Sequence, residues 1–248
     1  MTTCRFKANS FATANAVLNG LIAPGCSDMT TWQRHTLSVL AVGLLVLIFT
    51  SGRYNLPEVH LWNRAFADAA FVLLCLTLAI GPAARFVPGL GVLLPLRREL
   101  GIWLTIAAVI HVGIYLAGAL DWNVLGFFVD LAHHPPVLLR NAFGVANWLG
   151  GLAMLYLIVL ALTSNDASMR ALGRGWKFLQ QQSYTLIILA ALHSGVLIYL
   201  VIDQGHGVFP AVFWATAAAA AVLQIAGFIR TVVFQRRHST GKSGSNPI

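Results

Sequence analysis

The fold is decided by the stretch "ELGIWLTIAAVIHVGIYL", Glu99 to Leu116, in which only the opening glutamate carries a fixed charge. A helix needs about 20 predominantly apolar residues to cross the core of a bilayer. Runs of this kind recur along the 248 residues, which are 58% hydrophobic and 10% charged, with a mean hydropathy of +0.75. A soluble domain carries roughly 25% charged residues. The sequence therefore predicts an all-α integral membrane bundle.

Turn-forming segments separate six apolar runs. The transmembrane helices are predicted at 35–51, 65–86, 99–120, 142–163, 178–201 and 209–230. Residues 35–230 would form the transmembrane domain, and residues 1–34 a cytoplasmic segment in which "FATANAVLNGLIA" is predicted as a short interfacial helix. The Gly- and Ser-rich residues 231–248 are predicted as a disordered cytoplasmic tail.

The distribution of lysine and arginine predicts that both termini are cytoplasmic. With the N-terminus inside, thirteen of the sixteen basic residues lie on the cytoplasmic side, and Arg53, Arg64 and Arg140 alone lie outside. Basic residues favour the cytoplasmic loops of multi-pass proteins. The net charge of +8 is therefore explained by topology and the membrane surface, and we predict no nucleic-acid partner.

Two histidines lie deep in predicted spans. His111 follows Arg98 by thirteen residues, about 20 Å along a helix, and His193 follows Lys177 by sixteen residues, about 24 Å. Both spans run from inside to outside, so the two imidazoles are expected at similar depth, toward the outer face. Intramembrane ionisable residues are functional candidates by default, and neutral imidazole is a common axial ligand to haem iron.

Two other roles compete with ligation at His111 and His193. Each side chain could simply form a hydrogen bond within the bundle, or the pair could relay protons. Relays usually recruit Asp or Glu as well, and none lies beside these two in the sequence. Asp68, near the outer end of the second span, could simply reach interfacial water.

The segments "LRRELGIWLTIAAVIHVGIYL" and "ALTSNDASMRALGRGWKFLQQQSYTLIILAALH" resemble the third span, the following cytoplasmic loop and the fifth span of ferric-reductase-like transmembrane domains. The similarity is strongest to the haem-binding membrane subunit of the bacterial periplasmic methionine sulfoxide reductase system. Its pattern has an Arg-Arg-x-Leu-Gly entry, a Thr-Ser loop, a Leu-Gly-x-x-Trp turn and a Tyr before the last His. The matching positions run from Arg97 to Gly101, at Thr163 and Ser164, from Leu172 to Trp176, and at Tyr184.

The resemblance implies a subunit with one b-type haem that carries electrons across the bacterial inner membrane. His111 and His193 would be the axial ligands of the iron. The implied donor is a cytoplasmic flavin reductase or the quinone pool, and the implied acceptor is a periplasmic molybdenum-containing methionine sulfoxide reductase. FMN is also associated with the subfamily, although no residue pattern in this chain places it.

The sequence departs from the family pattern at an inner position. Where two-haem relatives carry a histidine early in the fifth span, this chain has Gln180, and where its partner would stand it has Arg97. The resemblance thus implies one haem rather than two. Gln180 would be a polar residue at the start of a helix, or a hydrogen-bond donor to a quinone or flavin carbonyl.

Two further functions stay open. A reductase acting alone on metal ions or quinone would need no periplasmic partner, and the His133–His134 pair in an outer loop is the feature that would support it. A haem-free transporter or assembly factor derived from the family would account for the absence of a histidine at position 180. Arg97, Arg98, Arg174 and Lys177 would form a basic cytoplasmic face for an acidic partner or would serve topology alone.

Overall fold

The computed structural model describes residues 29–53, 55–130, 132–133, 135–201 and 208–242, and it confirms an all-α membrane bundle. Six helical segments are long and apolar enough to cross a membrane. The α-helices are α1 (Thr31–Ser51), α2 (Glu58–Phe86), α3 (Leu96–Ala119), α4 (Ala142–Leu162), α5 (Asp166–Leu172), α6 (Arg174–Gln181), α7 (Ser183–Val196) and α8 (Val208–Lys242). Spans one to four are α1 to α4, the fifth combines α6 and α7, and the sixth lies in α8.

Side-chain caps fix several of the helix starts. Thr30 forms a capping box with Gln33 at the start of α1, and Asn141 accepts a hydrogen bond from the Gly144 N–H at the start of α4. Such caps satisfy backbone N–H groups that have no partner within the helix. The cap at Thr30 explains why α1 begins at Thr31, four residues before the start predicted from hydrophobicity. The residues at this end are polar, so the apolar pattern does not include them.

The end of the last helix differs from the prediction. Disorder was predicted from residue 231, but α8 continues to Lys242. The segment "TVVFQRRH" that follows Arg230 contains neither glycine nor proline, so nothing in its backbone ends the helix there. Residues 243–248, and residues 1–28 with the predicted interfacial helix, lie outside the described residues.

The fifth span is interrupted at Gln182, between α6 and α7. The Gln182 N–H donates to the Leu179 carbonyl, and the Ser183 hydroxyl donates to the Gln180 carbonyl at 2.9 Å. These local bonds compete with the regular helical pattern and bring α6 to an end. Beyond α7, residues Leu197–Val201 form a π-helical turn, a feature that is often found near functional sites.

Helix α2 lies at the centre of the bundle and packs against α1, α3 and α8. The main hydrophobic core joins it to α3, α4 and α7 through leucines such as Leu73, Leu104, Leu157 and Leu186. Many other large apolar side chains are exposed, among them Leu40 and Leu155. In a membrane these faces contact lipid, which is as apolar as a protein interior.

Polar contacts tie the helix ends together on both faces. On one face Arg34 pairs with the buried Glu99 at 2.9 Å, and Arg98 pairs with Asp166 at 3.2 Å. On the other face Arg53 pairs with Asp68 at 2.5 Å, so Asp68 has a protein partner rather than only interfacial water. A β-hairpin lies between α3 and α4, and its strands, β1 (Val129–Asp130) and β2 (Val137–Leu138), have two residues each.

Candidate functional site

His111 is held against α2 by a reciprocal pair of hydrogen bonds with Asn63. The imidazole Nδ1 lies 2.9 Å from the Asn63 carbonyl oxygen, and the Asn63 side-chain amide donates to the His111 carbonyl oxygen at 2.7 Å. A carbonyl oxygen only accepts, so Nδ1 carries the hydrogen. In the neutral imidazole this leaves the Nε2 lone pair free to bind a metal.

His193 is held against α4 in the same way. Its Nδ1 lies 2.7 Å from the carbonyl oxygen of Ala146, which is fully buried. Gly150, one turn further along α4, lies directly against the ring, since a Cβ built there would come within 2.7 Å of Nδ1. The second imidazole therefore also has its Nδ1 hydrogen committed to a backbone carbonyl and its Nε2 available.

The two histidines lie at matching positions on their spans. Each is eight residues before the end of its helical segment, at Ala119 and Val201. They come from different helix pairs, because α3 packs chiefly on α2 and α7 chiefly on α4.

Both histidines lie beyond the last buried residue of their own helices. All buried residues of α3 precede His111, the last being Ala107, and the buried residue of α7, Leu186, precedes His193. Both histidines themselves are half-buried. With each Nδ1 hydrogen bonded to a backbone carbonyl, the two Nε2 lone pairs are of the kind that could hold a haem iron.

The inner positions that carry histidine in two-haem relatives are engaged in other contacts here. Gln180 donates to the Ser164 hydroxyl at 3.3 Å, and the neighbouring Trp176 donates to the Thr163 carbonyl at 3.0 Å. Arg97 donates from Nε to the Thr77 carbonyl at 2.9 Å. The Gln180 contact serves to fasten α6 to the loop that follows α4.

The other histidines whose side chains the structure describes form no comparable site. His133 Nδ1 contacts the Asp130 carboxylate at 3.0 Å in the outer hairpin. The Ala132 N–H and then His133 lower the pKa of Asp130 by hydrogen bonding to its carboxylate. His35 accepts a hydrogen bond from Trp103 at 3.2 Å. Within the described residues no three potential metal ligands come together, and His134 and His206 lie outside them.

Sequence reasoning missed Asn63 and Gly150 as contacts of the two histidines. Asn63 is only 8% exposed, and a buried amide in a membrane span requires a partner. The pair Gly150–Gly151 within an apolar run signals close approach of another group. Neither signal identifies the partner, because His111 lies 48 residues from Asn63 and His193 lies 43 residues from Gly150.

The chain is similar to known membrane proteins over this region. Residues 65–191, just over half of the chain, match the family described as ferric reductase like transmembrane component. His111 lies within the matched residues, and His193 lies two residues after them. The magnetosome protein MamZ of Magnetospirillum gryphiswaldense is 31% identical over 148 residues, which are 58% of this chain and 21% of that protein.

The chain thus spans about a fifth of the length of this relative. The family match covers parts of spans two and five and the whole of spans three and four. Together with the six helices that can cross a membrane, it places the protein among multi-pass membrane proteins. The chain belongs to the ferric reductase like transmembrane component family.

Proposed function

We propose that the protein is a membrane subunit that binds one b-type haem through His111 and His193 and carries electrons across a bacterial inner membrane. The proposal rests on one observation, which is that the two imidazoles make the same kind of hydrogen bond. Each Nδ1 hydrogen is committed to a backbone carbonyl, at 2.9 Å and 2.7 Å, so that each Nε2 is left as a lone-pair donor. Metal-binding histidines in proteins are oriented in this way.

A haem bound here would supply a one-electron couple at its iron. The protein residues would hold and tune that couple. The carbonyl oxygens of Asn63 and Ala146 keep the Nδ1 hydrogens in place, which fixes the ring orientation and raises the basicity of Nε2. Both histidines lie in apolar membrane spans, and a low-dielectric surrounding shifts the potential of a bound group.

The proposed electron acceptor lies at the outer face. By resemblance it is a periplasmic molybdenum-containing methionine sulfoxide reductase, which would meet the hairpin and loops near the ends of α3 and α7. Tyr115, one turn beyond His111, stacks on Phe127 with ring centroids 5.6 Å apart, and Phe127 lies two residues before β1. The site is therefore adjacent to the segment that a partner on that side would contact.

The proposed electron donor is a cytoplasmic flavin reductase or the quinone pool. Of the predicted basic face, Arg98 pairs with Asp166 and Arg97 bonds to the Thr77 carbonyl. Arg174 and Lys177 are exposed and lack an ion-pair partner among the described residues. An acidic or phosphate-bearing electron donor would thus be attracted to α6. FMN carries a phosphate, and it is proposed here by family resemblance alone.

The test is a difference spectrum of the purified protein. We expect b-type absorbance bands on reduction, and we expect His111→Ala and His193→Ala each to abolish them. His60→Ala serves as the matched control, because His60 is an exposed histidine at the start of α2. Normal haem content in either ligand variant would refute the assignment.

A second candidate is favoured by the family description, which names ferric reduction. In that case the outer face would reduce ferric ions or quinone without a protein partner. Steady-state reduction of chelated ferric iron by membranes that contain this protein alone would favour it. A colourless preparation free of iron would instead favour a haem-free transporter or assembly factor.

A further inference from the structure

The His193 ring lies where a side chain at position 150 would be. A Cβ built on Gly150 would approach three ring atoms of His193, at 2.7 Å from Nδ1, 2.8 Å from Cε1 and 3.3 Å from Cγ. Two of these distances are shorter than real Cβ contacts. The atoms belong to a rigid planar ring rather than to the end of a flexible chain, so the ring would have to move as a whole.

The ring is also held at a second point on the same helix face. Ala146 precedes Gly150 by four residues, so both lie on one face of α4. The Ala146 carbonyl accepts a hydrogen bond from Nδ1 at 2.7 Å. This bond holds the ring in the space beside Gly150 that a larger residue would fill. Nδ1 is the ring atom nearest to that Cβ, so relief of the overlap would displace the atom that makes this bond.

Other glycines near the site lack this property. Gly113 follows His111 by two residues, and a Cβ there would meet nothing within 4 Å. Gly151 is next to Gly150, but its Cβ would contact only the edge of the Phe128 ring, at 3.3 Å. The close approach to a candidate ligand is therefore specific to Gly150.

We propose that Gly150 is a positioning residue for His193. Its missing side chain creates, together with the Ala146 carbonyl, a slot on α4 that sets the direction of the His193 Nε2. This inference rests on the proposed haem function. Gly150 touches neither the iron nor a substrate, and it acts only through the imidazole.

The first test compares Gly150→Ala with Gly113→Ala in the full-length protein. We expect Gly150→Ala to lower haem affinity by about 10–100-fold, the range found when groups that orient a metal ligand are changed. Any haem that remains should change from a six-coordinate low-spin to a high-spin spectrum, because Nε2 no longer points at the iron. Gly113→Ala should keep wild-type affinity and spectrum.

The second test uses imidazole itself as the probe and removes the clash that could prevent folding. In His193→Gly, added imidazole should bind in the slot and restore the low-spin spectrum. In the double variant His193→Gly with Gly150→Ala there is no ring to displace, so the protein should fold. The Cβ at position 150 should still fill the slot and prevent that restoration.

The outcomes separate this inference from the proposed function. Wild-type protein without haem overturns both. Haem that is lost in His193→Ala but unchanged in Gly150→Ala overturns the role of Gly150 alone. Equal restoration by imidazole in the single and double variants overturns it as well, even if Gly150→Ala cannot be purified.

Discussion

Asn63 and His111 hold each other through two hydrogen bonds, one from the side-chain amide at 2.7 Å and one from the imidazole at 2.9 Å. The first fixes the backbone of α3 at the histidine, and the second fixes the ring. Together they restrain His111 more than either bond would alone. A single polar residue on the central helix thus controls the position of a candidate ligand.

We expect Asn63→Leu to weaken haem binding by about 10–100-fold and to shift the midpoint potential. Leucine removes the donor to the His111 carbonyl but leaves the backbone acceptor for Nδ1, so the haem should not be lost completely. Haem titration and redox potentiometry measure both effects.

The matched control for this change is Asn147→Leu. Asn147 is also a buried amide, 9% exposed, but it donates to the Phe127 carbonyl at 2.9 Å and not to a histidine. We expect the control to leave the potential near that of the wild type. Equal shifts in the two variants would contradict a specific role for Asn63.

Among the helices, α5 and α6 form a helical hairpin that presents an exposed basic surface. It carries Arg170, Arg174 and Lys177, which are exposed and lack ion-pair partners among the residues that the structure describes. Trp176 and Gln180 fasten the opposite side of α6 to Thr163 and Ser164. The surface is therefore held in place against the bundle and leads directly into α7.

Charge reversal of this hairpin should slow reduction by an anionic donor. We expect the triple variant Arg170→Glu, Arg174→Glu, Lys177→Glu to be reduced more slowly by reduced FMN, and the difference to disappear at high salt. Reduced riboflavin has the same ring without the phosphate and should show little change. Stopped-flow absorbance of the haem measures both rates.

The control for charge itself is Arg140→Glu, which changes an exposed cation near the start of α4, on the opposite side of the bundle. Its rate of reduction by reduced FMN should stay at the wild-type value. If Arg140→Glu slows the reaction as much as the triple variant, a local docking surface on α5 and α6 is ruled out.

The six spans could be predicted from the sequence because hydrophobic length is a local property, and the prediction of an all-α bundle is confirmed. The position of His111 and His193 deep in apolar spans also predicted them as candidate ligands. The sequence pattern could not predict the interruption of the fifth span at Gln182. This interruption depends on hydrogen bonds from the Ser183 hydroxyl and from the Gln182 N–H, which donates to the Leu179 carbonyl. Nor could the pattern pair Asn63 with His111, since that contact requires two helices to pack in a particular register.

At the scale of the whole molecule, basic residues gather on one end of the bundle. Arg34 and Arg98 form ion pairs there, and Arg85 donates to the Gly227 carbonyl at 3.1 Å. We propose that this end faces the cytoplasm, following the positive-inside rule. The histidine pair then lies toward the outer half of the membrane, nearer to the proposed acceptor than to the donor.

The inner half lacks a second pair of histidines among the described residues at the positions where relatives have one. Arg97 donates to the Thr77 carbonyl, and a Cβ on Gly81 would lie 3.3 Å from its guanidinium. Gln180 is engaged with Ser164. Neither inner position thus offers an imidazole to a second haem, and this supports the proposal of one haem rather than two.

The decisive measurement is the haem-to-protein ratio of the purified wild-type chain, together with its oxidised low-temperature electron paramagnetic resonance spectrum. We expect one haem b per chain with the low-spin signal of two imidazole ligands, lost in His111→Ala and in His193→Ala. Two haems per chain, no haem, or an unchanged signal in either variant would contradict the proposal.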